Sequence, residues 1–279
     1  MLSQNRIIFS NNGTLSDISI PLSDYKSQTS VIDFTAGQDY IYIGGDMPFN
    51  HRYFELSVVN DQASTVTVDV WDGSEWEPAV DVLDETKSGS ASLGQSGIIR
   101  WTPDRDTAWG TEDSTEQIPD LATLKIYDMY WVRLNFTATL KNTTAIKYVG
   151  HRFSEDVDLE AYYPDLNLTA TKTAFKSGKT DWDDQHFAAA EEIIAKLRKK
   201  KKFFTPNLIL EPENFMLSAV HKVAYNIFAA FGDDYKDNRQ SADADFLKTF
   251  NGIDFDFDKD GDGRLDLHEK PTSTGWIRK

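Results

Sequence analysis

The sequence predicts an α+β chain: an N-terminal antiparallel β-sandwich, jelly-roll-like, then a small α-helical bundle, then a C-terminal acidic loop. Three observations carry this. Apolar residues alternate with period two through roughly the first 150 residues. From Asp181 the period becomes that of a helix. Residues 258–269 then place acids at every second position around a glycine. The expected organisation is a sandwich over 1–165, a linker over 166–180, helices over 181–252, and a loop and tail over 253–279. A length of 279 residues suits two domains at ~150 residues each.

The strands come first. In STVTVDVW (64–71), Val66, Val68 and Val70 share one face, Asp72-Gly73 is a tight-turn pair, and EWEPAV reads as the return strand. YWVRLNFTATL (130–140) sets Val132, Leu134 and Phe136 against Trp131, Arg133 and Asn135, one apolar face and one wet face. Shorter strands are read at 7–10, 31–34, 39–45, 52–59, 97–102 and 145–150. No stretch before residue 180 has a clear helical period. The segments 81–96 and 103–122 read as long polar loops where a binding surface would sit. Trp71, Trp76, Trp101, Trp109, Trp131 and Trp182 are expected mainly as core, with a sugar-stacking platform as the alternative and Trp109 as the exposed one. The sandwich needs no helix to cover its faces, so residues 1–165 are expected to fold alone.

The helices follow. Asp181-Trp-Asp-Asp opens the first, which Arg198, Lys199, Lys200, Lys201 and Lys202 close, acids and bases both matching the helix dipole. This basic run is also a candidate contact to DNA or to a protein partner. Pro212 starts the second, over 212–231, and Gly232 ends it. Phe215, Ala219, Val223 and Phe228 lie on its wide apolar face, which is expected to need cover from a neighbouring subunit. A third helix spans about 234–250.

The pattern DKDGDGRLDLHE (258–269) fits a calcium loop. Hard oxygens fall at positions 1, 3, 5, 7, 9 and 12: Asp258, Asp260, Asp262, the Arg264 carbonyl, Asp266 and Glu269. Gly263 allows the turn at position 6 and Leu265 is the apolar residue at position 8. Pro271 blocks the exiting helix, and the loop is single. An EF-hand-like, structural Ca²⁺ site is therefore expected, with Trp276 in the following tail as a partner anchor.

Charge and composition narrow the function. The net charge is −16, with −15 in residues 1–170 and −1 in residues 171–279. An acidic front part disfavours a nucleic-acid or anionic-membrane surface there. The absence of cysteine excludes disulfides, thiol catalysis and Cys-held metals. The first residues, MLSQNRIIFSNNGT, carry no signal-peptide pattern, and no apolar run suits a membrane span. Gly94-Gln-Ser-Gly lacks nucleophile-elbow spacing, and His51, His151, His186, His221 and His268 are scattered, so no enzyme is expected.

DWDDQHFAAAEEIIAKLRKK, LILEPENFMLSAVHKVAYNIFAAFGDDYKD and ADFLKTFNGIDFDFDKDGDG, within 181–262, resemble the head–tail connector (adaptor) proteins of tailed bacteriophages. The likeness lies in an acid-opened first helix and a Pro-led apolar second helix with Ala219, Ala224 and Ala229. It extends to a third helix with Tyr235 and Arg239, and to the D-x-D-x-D-G tail. It implies a virion neck protein assembled in the host cytoplasm as a dodecameric ring between portal protein and a downstream tail or stopper protein. The C-terminal tail would dock on the portal, with DNA passing through the channel. The sandwich lies outside that pattern. Two other readings compete: a host- or carbohydrate-binding tail or baseplate protein using the sandwich, and a secreted calcium-dependent carbohydrate-binding module. The second would carry a signal peptide and paired calcium loops.

Calorimetric titration tests the metal assignment. Ca²⁺ should bind with Kd on the order of 10⁻⁵ to 10⁻³ M, and Asp258→Ala with Glu269→Gln should remove the heat. Silence up to ~10 mM Ca²⁺ would contradict it.

Overall fold

The computed structural model describes residues 5–26, 28–102, 115–200 and 204–253, which form two compact units. The first holds residues up to 150 together with Thr205–Leu210. The second holds His151–Phe204 and residues 211–253. Among the described residues the chain therefore passes between units three times. Class is α+β: two antiparallel sheets with eleven strands and six helices among the described residues.

In the first unit, β1 (Arg6–Asn11) turns through Asn12-Gly13, both at positive φ, into β2 (Thr14–Asp17). Asn-Gly is the pair that such a two-residue hairpin selects. A single helical turn, α1 (Ser19–Leu22), and the two-residue β3 (Ser30–Val31) follow. Next are β4 (Tyr40–Gly45), β5 (His51–Val58), β6 (Val66–Trp71) and β7 (Trp76–Pro78). The unit closes with β8 (Val80–Asp84), β9 (Gly97–Thr102), β10 (Tyr130–Phe136) and β11 (Ala145–Gly150). The sheet orders are β2-β1-β4-β10-β6-β7 and β3-β11-β5-β9-β8. The expected return strand at EWEPAV is split: β7 stays in the first sheet and β8 joins the second, with the left-handed Asp81 at the change.

One core joins the sheets. Ile7, Ile41, Ile43, Val66, Val68, Val70, Val132 and Leu134 from one pack with Phe54, Ile99, Trp101, Ile146 and Val149 from the other. Period-two alternation places them there. The opposite face of β10, expected to be wet, is partly covered: Trp131 is buried, and Arg133 and Asn135 are half-buried. Trp131 packs with Ile8, Tyr42 and Trp71 under Ile118 and Leu121, which lie in the segment 115–129. Arg133 covers this second cluster between the Tyr40 and Trp76 rings and binds Asp69 at 2.7 Å. The segment 81–96, expected as a loop, instead begins as a strand, residues 81–84 belonging to β8, and the rest is likewise built in. Thr86, Ser92 and Leu93 are fully buried, and both hydroxyls donate to the Asp84 carboxylate. Residues 103–114, with Trp109, lie outside the described residues.

Thr205–Leu210 completes this unit through a buried cation. Arg52 in β5 is 0% exposed. Its Nη1 donates to the His51 carbonyl at 2.7 Å, and its Nη2 to Asn5 Oδ1 at 3.1 Å and Asn207 Oδ1 at 2.8 Å. The guanidinium lies 3.6 Å from the centre of the Phe49 ring. Asn207 Nδ2 in turn donates to Asp46 at 2.6 Å, so one amide relays between cation and carboxylate. Thr205 Oγ1 also donates to Asp46, and Asn50 to the Leu210 carbonyl. Burial pushes Arg52 down to about 9 and Asp46 opposes it, so the cation persists at neutral pH. A Cβ on Gly45 would come 2.8 Å from Phe49 and 3.0 Å from Asn207, which only glycine avoids.

The second unit begins earlier than expected. Residues 151–180 hold two short helices, α2 (Asp156–Tyr162) and α3 (Thr169–Phe175), rather than the end of the sandwich and a linker. Seven residues are two turns, too short to register as a helical period. Then come α4 (Asp183–Lys200), α5 (Met216–Phe231) and α6 (Lys236–Gly252). The core gathers Val220, Val223, Ala224, Ile227 and Phe228 of α5 with Leu159, Leu166, Trp182, Ala189 and Ala242. The described helices show none long and apolar enough to cross a membrane.

The expectation that residues 1–165 fold alone does not follow from this arrangement, because Asn207 lies outside that fragment. Residues 1–165 with 205–210 appended through a Gly/Ser linker should unfold at higher urea than 1–165 alone, by about 2 kcal/mol. Equal midpoints would contradict the role given to the segment.

Candidate functional site

The residues expected to meet a partner are placed as follows. Phe215, Ala219, Val223 and Phe228 are 0–5% exposed within their own unit. Phe215 packs on Phe153, and Phe228 on Tyr163 and Tyr235. The wide apolar face of α5 is thus covered by α2, α3, α4 and α6, not held open for a neighbour. The sequence reading counted three helices and missed two that cover it.

The basic run ends α4. Arg198 is half-buried, and Lys199 and Lys200 are exposed; Lys201 and Lys202 lie outside the described residues. Lys200 stacks 4.4 Å over the Phe250 ring and donates to Asn251 at 3.0 Å. One turn back, Lys196 stacks 5.2 Å over Phe246. The calcium-loop residues Asp258, Asp260, Asp262, Arg264, Asp266 and Glu269, and Trp276 in the tail, lie outside the described residues too. Among the described residues, Asp72, Glu75 and Glu77 bring carboxylate oxygens within 4.8 Å of one another. Asp72 there caps the hairpin turn, accepting from the Ser74 and Glu75 amides at 2.7 Å each.

A polar cluster that sequence reasoning missed holds the second unit together. His186 of α4 is 1% exposed. Its Nε2 meets Asp156 Oδ1 at 3.2 Å, and its Nδ1 meets Ser154 Oγ at 2.8 Å. A carboxylate only accepts, so Nε2 carries the proton and Ser154 donates to Nδ1. Asp156 also accepts from Lys172 Nζ at 2.8 Å and from the Trp182 amide at 3.1 Å. One carboxylate at the start of α2 therefore ties α3 and the start of α4. Arg152 beside it binds Asp183 at 2.9 Å. The one legible trace is Glu155 and Asp158, a reciprocal cap at the start of α2.

Ser, His and Asp are the residue types of an acyl-transfer triad, but the arrangement differs. Serine meets Nδ1 and the carboxylate meets Nε2, the reverse of a triad, and Ser154 is 4% exposed. The cluster pins helices. His221, also read as scattered, meets the Tyr163 hydroxyl through Nδ1 at 2.8 Å. Burial, with Asp245 nearby, pushes Tyr163 up to about 12. Comparison with models of known protein families finds no match, and comparison with curated proteins finds none.

The cluster makes folding pH-dependent. Burial lowers His186 below its ordinary 6.5, with Arg152 adding to this against Asp156 and Asp183. Burial alone would raise Asp156 from 3.8, but hydrogen bonds from His186 and Lys172 outweigh it and hold it at about 2. A depressed His costs stability as pH falls below 6.5, because the unfolded chain takes the proton first. A depressed Asp adds about 2 kcal/mol above 3.8, lost as pH falls toward 2. Thermal melting from pH 7.5 to pH 5 should therefore show a falling Tm in the native chain and a flatter profile in His186→Gln. The same slope in both would contradict the assignment.

Proposed function

We propose that this chain is a non-enzymatic structural protein of a tailed-phage virion, a connector in the neck between portal and tail. Its first unit is read as a jelly-roll-like sandwich added to a helical connector unit. The observation that carries the reading is the order and character of the helices in 183–252. An acid-opened helix ends in bases, a Pro-led apolar helix bears Ala219, Ala224 and Ala229, and Arg239 sits in the third just after Tyr235. The resemblance to adaptor proteins rests on this same order. Burial of Ser154 and His186 is consistent with a structural role.

In this reading the chain forms a ring, and the tail with Trp276 docks on the portal protein, positioned by Ca²⁺ in the 258–269 loop. The contacts that close the ring come from outside the α5 face, which the chain itself covers. The glycan-binding alternative needs exposed aromatic platforms. Trp71, Trp101, Trp131 and Trp182 are at most 2% exposed, while Trp76 is half-buried, Tyr127 is exposed and Trp109 lies outside the described residues.

Negative-stain electron microscopy of the purified full chain tests the class. Rings around an axial channel are expected. Single particles without rings, from a chain that binds a glycan array, would favour the sandwich-based reading instead.

A further inference from the structure

Among the described residues, the second unit leaves an apolar face bare. Val157, Tyr162 and Leu168 are 68%, 50% and 55% exposed, three large apolar side chains within twelve residues. Val157 and Ala161 lie one turn apart on the solvent side of α2, opposite the buried Leu159. Asn167 donates to Glu160 Oε2 at 2.7 Å, which brings the turn into α3, and Leu168 with it, beside that side of α2. Tyr162 bounds the face toward α5, its ring set edge-on to His221 at 6.2 Å. Apolar side chains scattered singly need no partner, but these share one face. The rim has one sign. Residues 153–171 hold five carboxylates and no Lys or Arg. Asp156 is taken by Lys172 and Asp158 by the Glu155 amide. Glu160 and Asp165 are exposed and meet no cation among the described residues.

The chain itself contains a segment of complementary character. Residues 270–279, KPTSTGWIRK, lie outside the described residues and carry Lys270, Arg278 and Lys279 with no acid, in a chain of net charge −16. Trp276-Ile277 is an apolar pair directly before two of those bases. The segment is also within reach. Asp245 of α6 acts on both Tyr163 and His221, the neighbours of Tyr162, and lies eight residues, about 12 Å of helix, before Ile253. From Ile253 to Trp276 is 23 residues, which span about 26 Å as a flexible coil.

We infer that Trp276 and Ile277 seat on the Val157–Ala161–Leu168 face of their own chain, with Arg278 and Lys279 on Glu160 and Asp165. The contact gives Trp276, which the reading above sends to the portal, a resting place in the free chain from which a partner must displace it. Only the identity of that partner rests on the neck reading. The same face of a second copy fits less well, because two such faces would set carboxylate against carboxylate. A tethered segment also acts at an effective concentration on the order of millimolar, so a small apolar face with two ion pairs suffices to hold it.

The absence of cysteine allows a direct test on the full chain. Leu168→Cys with Ile277→Cys puts one thiol on each side of the contact. Oxidised glutathione accepts the two electrons and two protons as the S–S bond forms, and leaves as two molecules of the thiol. The disulfide should close within one chain at least roughly tenfold faster than in the pair Val31→Cys with Ile277→Cys, where Val31 is an exposed residue of β3. Glu160→Lys with Asp165→Lys should slow closure several-fold, and adding Arg278→Glu with Lys279→Glu should restore it; that recovery also shows that the reversed face is folded. Equal rates in the two cysteine pairs, or a rate that ignores the charge reversals, would overturn the contact. Disulfides that form between chains, at a rate rising with protein concentration, would assign the face to the segment of another copy and overturn the intramolecular seat. The rates are read in the free chain, so a chain that closes the disulfide but forms no rings refutes the neck reading and keeps this contact.

Discussion

The Arg52 guanidinium is cut off from solvent, and the first unit is arranged around that constraint. An ion removed from water needs fixed dipoles and an opposite charge within reach. The sheet supplies the His51 carbonyl and the Phe49 ring face. It does not supply a carboxylate at contact distance. Asn207 does so indirectly, accepting from Arg52 and donating to Asp46. The six residues Thr205–Leu210, distant in sequence, are thereby part of a unit that otherwise ends, among the described residues, at Gly150. Gly45 is the glycine that lets them approach.

The second unit meets a comparable problem with the opposite sign. Asp156 sits where three elements begin or end, and Lys172, His186 and the Trp182 amide converge on it. Arg52 in one unit and Asp156 in the other are consumed in holding segments together.

The sequence made most longer strands legible: β9 and β11 fall on the ranges read for them, as do most of β4, β5 and β6, while β8 was read mostly as loop. It missed what alternation does not encode. The second buried face, with Trp131 and Trp71, depends on a cover from residues 115–129 that no local pattern announces. The helices α2 and α3 are two turns each, below the window in which a period can be counted. Their absence made α5 look too apolar for its own unit. Asn12-Gly13 was a legible hairpin signal that was not used. Asn207 had none: a lone Asn after Thr205-Pro206 looks like any turn, and only the fold brings it to Arg52. Likewise Ser154, Asp156 and His186 are separated by up to 32 residues, and nothing in their spacing pairs them.

The most direct measurement is a double-mutant cycle between Arg52 and Asn207, using Arg52→Met, Asn207→Leu and the double variant, read by urea unfolding of the full chain. Arg52→Met should remove the need for the relay, so Asn207→Leu should cost about 2–3 kcal/mol less in that background than in the native one. Additive losses, with coupling within about 0.5 kcal/mol of zero, would contradict the claim that this buried pair holds Thr205–Leu210 in the first unit.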